Sequence, residues 1–422
     1  MLAVWWIKLH EFFGAFAFVI AAFAGVFAGI ITGVTPGLHI NLVAVVVAAL
    51  FYGSNVFGQM NIAPLAVAAF IMAMSISHVF HEFLPSVFLG FSESDAALAV
   101  LPGHKMLLRG QGRKAILLAA FGCLIGVLAL VLLSPLLLLA IRPIFNATKG
   151  HVWLILAAVI AFHLLRSKNL KSAAARALTF SLSGALGVAV FSLPSINEPL
   201  LPMFSGLFGI SSLIGGLVNR SSFPPQQQRV AIKVVRPIKV VKLLCVGLFS
   251  SSLMGIFPAL GPAQAAMLGT ATLKRLKASA YMFLLGVIAS ASMLIAVLTL
   301  YSFGKARNGS IAVMGNILGT FSTNPYSTML LLAVAVVASG VSCISVVFIS
   351  RLFSLLITKL NYSLLSWLVI LFIAVFVAYV SSFIGVMVLA TATAIGLVPV
   401  ITRSSRQLLM GCLMVPVIGY YV

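Results

Sequence analysis

Two proline–glycine breaks interrupt apolar runs at corresponding places in the two halves of the chain. The first covers residues 33–41 and the second covers residues 255–264. Proline removes a backbone donor and glycine allows close approach of another group, so neither run is expected to form one continuous membrane helix. A helix that begins inside the membrane presents free N–H groups, which form an anion site suited to a carboxylate or a phosphate.

Polar side chains accompany both breaks and supply further hydrogen bonds. We predict a substrate site made of Thr35, Pro36, Gly37, His39, Asn41, Pro258, Gly261, Pro262 and Gln264. Two matched breaks are the sequence pattern of a secondary transporter built as an inverted repeat. The alternative is that the breaks only kink two helices, whose freed backbone groups bind neighbouring side chains.

A second polar group lies at the end of an apolar span. His78 and Glu82 are four residues apart and share one helix face, and His81 precedes Glu82. An acidic residue in or near a membrane helix is a functional candidate, and histidine titrates near neutral pH. We predict that His78, His81 and Glu82 form a proton or ion coupling site; the alternative is a salt bridge at an interfacial helix end. The spacing differs from that of zinc-binding motifs, so no metal is predicted.

The composition places these residues in a membrane. The chain is 62% hydrophobic and 7% charged, with a net charge of +21. The basic residues fall in short loops between apolar spans, which is typical of the positive-inside rule and not of a nucleic-acid surface. The sequence therefore predicts a multi-pass protein of the cell membrane that binds no nucleic acid. The four scattered cysteines include no CxxC pair, and no cofactor is predicted.

Segment lengths and loop charges organise the spans. Three of the arms that flank the breaks, 38–52, 243–257 and 260–273, have about 15 residues and measure about 22 Å, short of the ~30 Å hydrocarbon core. The pairs 12–34/38–52 and 243–257/260–273 are therefore predicted to be re-entrant hairpins. The spans that follow them are predicted at 61–84, 114–141, 151–165, 177–194 and 200–218, and at 278–301, 326–350, 362–381, 383–401 and 407–421.

Five spans after each hairpin give the two halves opposite topology. The predicted fold class is an all-α polytopic membrane protein with an inverted repeat, each half a re-entrant helical hairpin plus about five transmembrane helices. Residues 1–218 form the first repeat, 219–242 a basic, flexible cytoplasmic linker, and 243–422 the second repeat. Lys305 and Arg307 are exceptions to the charge rule, and we expect them outside or in a cavity.

Several of these segments resemble a known family. Residues 29–37 resemble the signature of the large membrane subunit of tripartite tricarboxylate transporters (TctA-like), and residues 255–262 resemble its repeat. Residues 101–115 resemble the family's cytoplasmic segment, and residues 78–90 and 395–399 resemble its archaeal branch. The resemblance implies an ion- or proton-coupled uptake permease for a carboxylate. In the family, the permease works with a small membrane subunit and a periplasmic binding protein.

We therefore predict a secondary active transporter that moves an anionic substrate by alternating access, coupled to protons or sodium. The alternative is a flippase for polyprenyl-phosphate lipid carriers, because helix N-termini in a cationic protein also suit a lipid phosphate. The sequence does not determine the oligomeric state, and a homodimer is one assembly consistent with it. It contains no GxSxG motif and no Walker loop, and no enzyme activity is predicted.

Overall fold

A computed structural model shows a chain built from helices. It describes residues 2–35, 40–53, 63–90, 100–165, 169–194, 196, 199–218, 224–230, 237–256, 266, 269, 273, 276–304, 306, 308–319, 324–359, 361–402, 404 and 406–421. Every regular element in these ranges is helical, which confirms the predicted all-α class.

Sixteen α-helices make up most of the described ranges. In chain order they are α1 (Leu2–Val34), α2 (Ile40–Gly53), α3 (Pro64–His81), α4 (Phe83–Phe88), α5 (Val100–Leu107), α6 (Gly112–Thr148), α7 (Val152–Leu165), α8 (Leu170–Phe191), α9 (Leu200–Phe204), α10 (Ser211–Val218), α11 (Pro237–Ile256), α12 (Ala278–Phe303), α13 (Gly309–Leu318), α14 (Pro325–Leu356), α15 (Tyr362–Thr402) and α16 (Gly411–Tyr421). A π-helical turn, Ser205–Ile210, joins α9 to α10.

The outer surface of the helix bundle is apolar. Eight helical stretches in the described ranges are long and apolar enough to cross a membrane. Large side chains on their outer faces are open to the surroundings; Leu132 and Leu139 on α6 are 80% and 76% exposed. Water disfavours such a continuous apolar surface, whereas lipid accepts it. The prediction of a multi-pass membrane protein is thus confirmed.

Two helices, α3 and α12, form the centre of the bundle. Both are buried over most of their length. The helix α3 packs mainly against α1 and α14, and α12 packs mainly against α11 and α6. Each central helix therefore has one neighbour that precedes it in its own predicted half and one neighbour from the other half.

Glycines allow these helices to approach closely. Gly25, Gly29 and Gly33 recur every four residues on α1 and face successive turns of α3, so the two helices run parallel. Between α6 and α12 the approach is as close, because a methyl group on Gly286 would lie 2.0 Å from the carbonyl oxygen of Ala119. Small residues at such contacts are typical of helix packing in lipid.

The connections that follow the two central helices share one pattern. Gly90 has φ 68° and Gly304 has φ 64°, and each is followed by a short helix, α5 or α13. The helix α5 packs against α12, and α13 packs against α3. Since α13 lies between the predicted spans 278–301 and 326–350, it is an element that the sequence prediction missed.

The long helix α15 reverses direction at Ser382. This residue has φ 59° and ψ −167°, outside the helical region. In a continuous helix, Val377 and Gly385 would lie about 12 Å apart along the axis. A methyl group on Gly385 would instead lie 3.3 Å from Cγ1 of Val377. The helix is therefore two spans folded against each other, in agreement with the predicted spans 362–381 and 383–401.

Part of the predicted flexible linker, residues 224–230, is held against the bundle. The Oε1 atom of Gln226 accepts a hydrogen bond from the backbone N–H of Gly112 at 2.9 Å, and its Nε2 donates to the carbonyl of Leu107 at 3.0 Å. The side chain of Gln228 bonds to α14. The expectation of flexibility is wrong for this part of the linker, because its glutamines bind the backbone groups exposed between α5 and α6.

We expect Gly286→Ala to destabilise the protein and Gly340→Ala to leave its stability unchanged or slightly higher. The methyl group at residue 286 would overlap the Ala119 carbonyl, and such overpacking costs about 1–3 kcal/mol. A methyl group at residue 340 meets nothing within 4 Å, and alanine is favoured over glycine in a helix by about 0.5–1 kcal/mol. Thermal unfolding in detergent measures both effects. Equal melting temperatures for wild type and Gly286→Ala would contradict the close approach.

Candidate functional site

The end of α1 lies against the predicted coupling residues. A methyl group on Gly33 would lie 2.7 Å from Cβ of His81 and 3.2 Å from the backbone nitrogen of Glu82. The hydroxyl of the preceding residue, Thr32, lies 3.0 Å from Nδ1 of His78. Because α1 ends directly before the first break, the structure brings the leading arm of that break together with the coupling residues.

His78 and Glu82 form a buried pair on α3. Nε2 of His78 lies 3.9 Å from Oε2 of Glu82, and the two side chains are 3% and 4% exposed. The chain continues into α4 beyond them, so the pair lies inside the protein and not at a solvent-exposed helix end. Among the side chains that the structure describes, Glu82 is the only carboxylate. A buried charge needs a partner, and each of these two groups lies beside the other.

His81 is fully buried and joins two helices. Its Nδ1 lies 2.7 Å from the carbonyl oxygen of Ser77, and its Nε2 lies 2.9 Å from the hydroxyl oxygen of Ser345 on α14. Sequence reasoning missed both Ser345 and Thr32. No local pattern indicates either contact, because the partners lie on helices far apart in the chain.

Asn41, which was predicted to bind substrate, contacts the start of α13. Its Oδ1 accepts a hydrogen bond from the backbone N–H of Ser310 at 2.8 Å. Oδ1 of Asn308 accepts from the same N–H at 3.0 Å. The hydroxyl of Ser310 also bonds to that of Ser75 on α3, at 3.0 Å. Two amide oxygens therefore share one donor at this helix N-terminus.

The polar cluster of Asn41, Asn308, Ser310 and Ser75 lies deep in the bundle. Ser75 is about 16 Å along α3 from its first residue, about half of the ~30 Å hydrocarbon core. The side-chain amide of Asn308 contacts the sulfur of Met293 at 3.0 Å, about 15 Å before the end of α12. The chain therefore turns back into the bundle after α12, and α13 is a re-entrant element.

The structure describes only part of the predicted substrate site. Thr35 follows α1, is exposed, and donates its backbone N–H to the carbonyl of Ile31 at 3.0 Å. Outside the described residues lie Pro36, Gly37, His39, Pro258, Gly261, Pro262 and Gln264. Within the described ranges, no three histidine, cysteine or acidic side chains lie close enough together to hold a metal ion.

The segment that resembled the family's cytoplasmic loop holds a third buried histidine, His104 on α5. Its Nδ1 lies 3.4 Å from the carbonyl oxygen of Val87. Burial lowers the pKa of His104, the Val87 carbonyl partly offsets this, and the positive charge of Arg406 lowers the pKa further. Burial also lowers the pKa of Arg406 to about 10, and its guanidinium donates a hydrogen bond to the hydroxyl of Ser212.

Acid should destabilise the wild-type protein more than a His104→Gln variant. The pKa of His104 is lower in the folded protein than its usual value of 6.5, so the unfolded state binds the proton first as the pH falls. The stability due to neutral His104 is complete above that value and declines below it, by at most about 1.4 kcal/mol per pH unit. Melting temperatures measured from about pH 8 to about pH 5 test this, and parallel curves would contradict it.

Replacing Asn41 and Asn308 together should cost more than the sum of the two single changes. After either change to alanine the Ser310 N–H keeps one acceptor, whereas the double variant leaves a buried donor unpaired, at about 1–3 kcal/mol. A double-mutant cycle of thermal stability measures this coupling. Asn324→Ala removes an exposed cap of α14 and should show no coupling to Asn41→Ala. Additive costs for Asn41 and Asn308 would exclude a shared donor.

Comparisons with known proteins agree with the membrane architecture and the motifs. Residues 19–411 match the tripartite tricarboxylate transporter TctA family. The chain is also 28% identical over 400 residues to an uncharacterized protein of Methanocaldococcus jannaschii, covering 92% of this chain and 94% of that protein. No solved structure matches. The resemblance in the sequence is thus confirmed, and the chain belongs to the tripartite tricarboxylate transporter TctA family.

Proposed function

We propose that this chain is a secondary active transporter that moves an anionic substrate, a carboxylate, by alternating access coupled to protons. The observation on which the proposal rests is the buried group of His78, His81 and Glu82 against the end of α1. Ionisable residues inside a membrane helix are rare and mark ion or proton pathways. Membership of a transporter family supports transport over catalysis.

The chemistry of the three side chains favours a proton over sodium as the coupling ion. Two imidazoles and one carboxylate change charge by binding protons, and histidine does so near neutral pH. Hard cations prefer several oxygen ligands, whereas nitrogen atoms dominate this group. Nε2 of His78 lies 3.9 Å from Oε2 of Glu82, so a charge on either group acts directly on the other.

The packing of the helices supports an inverted repeat of residues 1–218 and 243–422. In the first half, α3 packs on an earlier helix of the same half, α1, and on α14 of the other half. In the second half, α12 packs in the same way on α11 of its own half and on α6 of the other half. Likewise α8 packs against α16, while α15 packs against the π-helical turn and its flanking helices. A pseudo-two-fold axis produces such exchanged pairs, and transporters of this design bind substrate where their broken helices meet.

The second arm of the first hairpin is too short to cross the membrane. The helix α2 contains 14 residues and is about 21 Å long, too short to cross a ~30 Å core. Its N-terminus follows the first break directly. We assign the anion site to the two breaks, with Asn41 placing α2 through its bond to α13. The assigned residues are Thr35, Pro36, Gly37, His39, Pro258, Gly261, Pro262 and Gln264.

The family description also supports partner proteins. A tripartite transporter works as a membrane complex, and this chain supplies its large membrane component. We propose that a small membrane subunit and an extracytoplasmic binding protein complete the transporter, with a homodimer as its core.

Glu82→Gln should abolish accumulation of substrate driven by a pH gradient while leaving substrate binding intact. Glutamine keeps the shape of the side chain but carries no negative charge, so it can no longer stabilise a proton on the buried histidine group, and the carrier loses its driving force. The measurement is uptake of radiolabelled citrate into proteoliposomes with an imposed pH gradient. Undiminished accumulation by Glu82→Gln would exclude the role of Glu82 in coupling.

Thermal-shift assays identify which solute binds the protein and test whether the variants still bind it. Citrate, succinate and undecaprenyl phosphate are each added to wild type, Glu82→Gln and His39→Ala, because a ligand of the folded state raises the apparent stability. A shift with a carboxylate that His39→Ala loses supports the permease. A shift with the lipid phosphate alone would favour the flippase. Glu11→Gln makes the same chemical change before the apolar span of α1 and should accumulate substrate normally.

A further inference from the structure

We propose that His81 is the group that takes up and releases the coupling proton, and that the Ser345 hydroxyl changes between donor and acceptor as it does so. This inference rests on the proton-coupled transport proposed above and deepens it, because it names the proton carrier and the helix that senses its charge. The sensing helix is α14, which lies in the other predicted half of the chain.

The contact of Nδ1 of His81 with a carbonyl oxygen determines where the ring carries a hydrogen. Nδ1 lies 2.7 Å from the carbonyl oxygen of Ser77. A carbonyl oxygen only accepts hydrogen bonds, so Nδ1 must carry a hydrogen in every protonation state that keeps the contact. The proton that comes and goes is therefore on Nε2, which faces Ser345.

The hydroxyl of Ser345 has two hydrogen-bond neighbours but only one hydrogen. Its oxygen lies 2.9 Å from Nε2 of His81 and 2.9 Å from the carbonyl oxygen of Ser342. A hydroxyl has one hydrogen, so it donates to only one of these two atoms at a time. With neutral His81 the hydroxyl donates to Nε2. With protonated His81, Nε2–H donates to the hydroxyl, which turns and donates to the Ser342 carbonyl.

Both protonation states of His81 are thus hydrogen-bonded at both ring nitrogens without movement of a heavy atom. A buried histidine with a purely structural role needs partners for one state only. The proton enters from the side of the membrane to which the carrier is open and binds Nε2 of His81. It later leaves from the same atom, and the Ser345 hydroxyl rotates once at each of these two events.

Few titratable groups of the described chain surround His81. On its own helix, the titratable group that acts on His81 is His78, which in turn lies 3.9 Å from Glu82. The described side chains of α1 include no titratable group at this contact, α14 contributes Cys343, and α6 contributes Cys123, whose electrostatic neighbours are Glu82 and Cys343. Glu82, the one carboxylate among the described side chains, is paired with His78 and so lies one residue contact away from His81.

The contact also links protonation to the relative position of the two halves. The charge-assisted bond from protonated His81 to Ser345 is stronger than the neutral bond. Movement of α14 away from α3 removes the acceptor of Nε2–H and so favours release of the proton. By linkage, protonation favours the arrangement in which α3 and α14 are in contact.

Nitrogen-15 NMR of histidine-labelled protein in lipid tests the proposal, with His81 assigned by its loss in His81→Gln. We expect neutral His81 to carry its hydrogen on Nδ1 and to become protonated as the pH is lowered from about 8 to about 3. In Ser345→Ala the midpoint should move about one pH unit lower, a tenfold loss of proton affinity, because the charged form loses the stronger bond. Ser345→Thr retains a hydroxyl and should restore the midpoint.

Ser339→Ala is the matched control. Ser339 lies on the same helix and its hydroxyl bonds the carbonyl of Val336 at 2.8 Å, without a histidine, so its loss should leave the His81 midpoint unchanged. A neutral His81 with its hydrogen on Nε2, no titration in this range, or an unmoved midpoint in Ser345→Ala would each overturn the proposal. The readout needs no transport, so these results are independent of citrate uptake by Glu82→Gln.

Discussion

A polar group inside a lipid bilayer finds no water to bind, and this constraint governs the structure around α3. Every polar side chain at its contact with α1 has a protein partner: Thr32 binds His78, and Ser77 donates its hydroxyl to the carbonyl of Val26 at 2.8 Å. The start of α13 is capped by two amide oxygens for the same reason. An ionisable group such as Glu82 persists here only within such a network.

Close packing of the two central helices makes the network possible. The glycines of α1 bring its backbone against α3, so that short side chains such as Thr32 reach the histidines directly. The glycines between α6 and α12 bring the other central helix equally close to its neighbour. Because α14 packs on α3, His81 is bonded directly to a helix that follows it by 264 residues in the chain.

Local patterns in the sequence were sufficient to predict most of the long helices that the structure describes and the pair of His78 and Glu82. Apolar runs and turn signals placed the helices, including the boundary at Ser382, and i, i+4 spacing paired His78 with Glu82. Contacts between distant segments were not predictable: Ser345 and Ser310 are ordinary serines in the sequence, and only folding brings them to His81 and Asn41. The helix α13 was missed because its 10 residues follow two basic residues and read as a loop. Gln226 read as part of a flexible linker because a polar composition does not reveal a buried amide.

The reversal at Ser382 leaves no polar loop between the two spans of α15. These 41 residues contain no lysine, arginine, aspartate or glutamate, and Lys359 and Arg403 flank them at both ends. During synthesis the membrane-insertion machinery therefore has no hydrophilic segment to move across the bilayer here. The hairpin can pass sideways into lipid as one unit, with both of its basic ends retained on the cytoplasmic side.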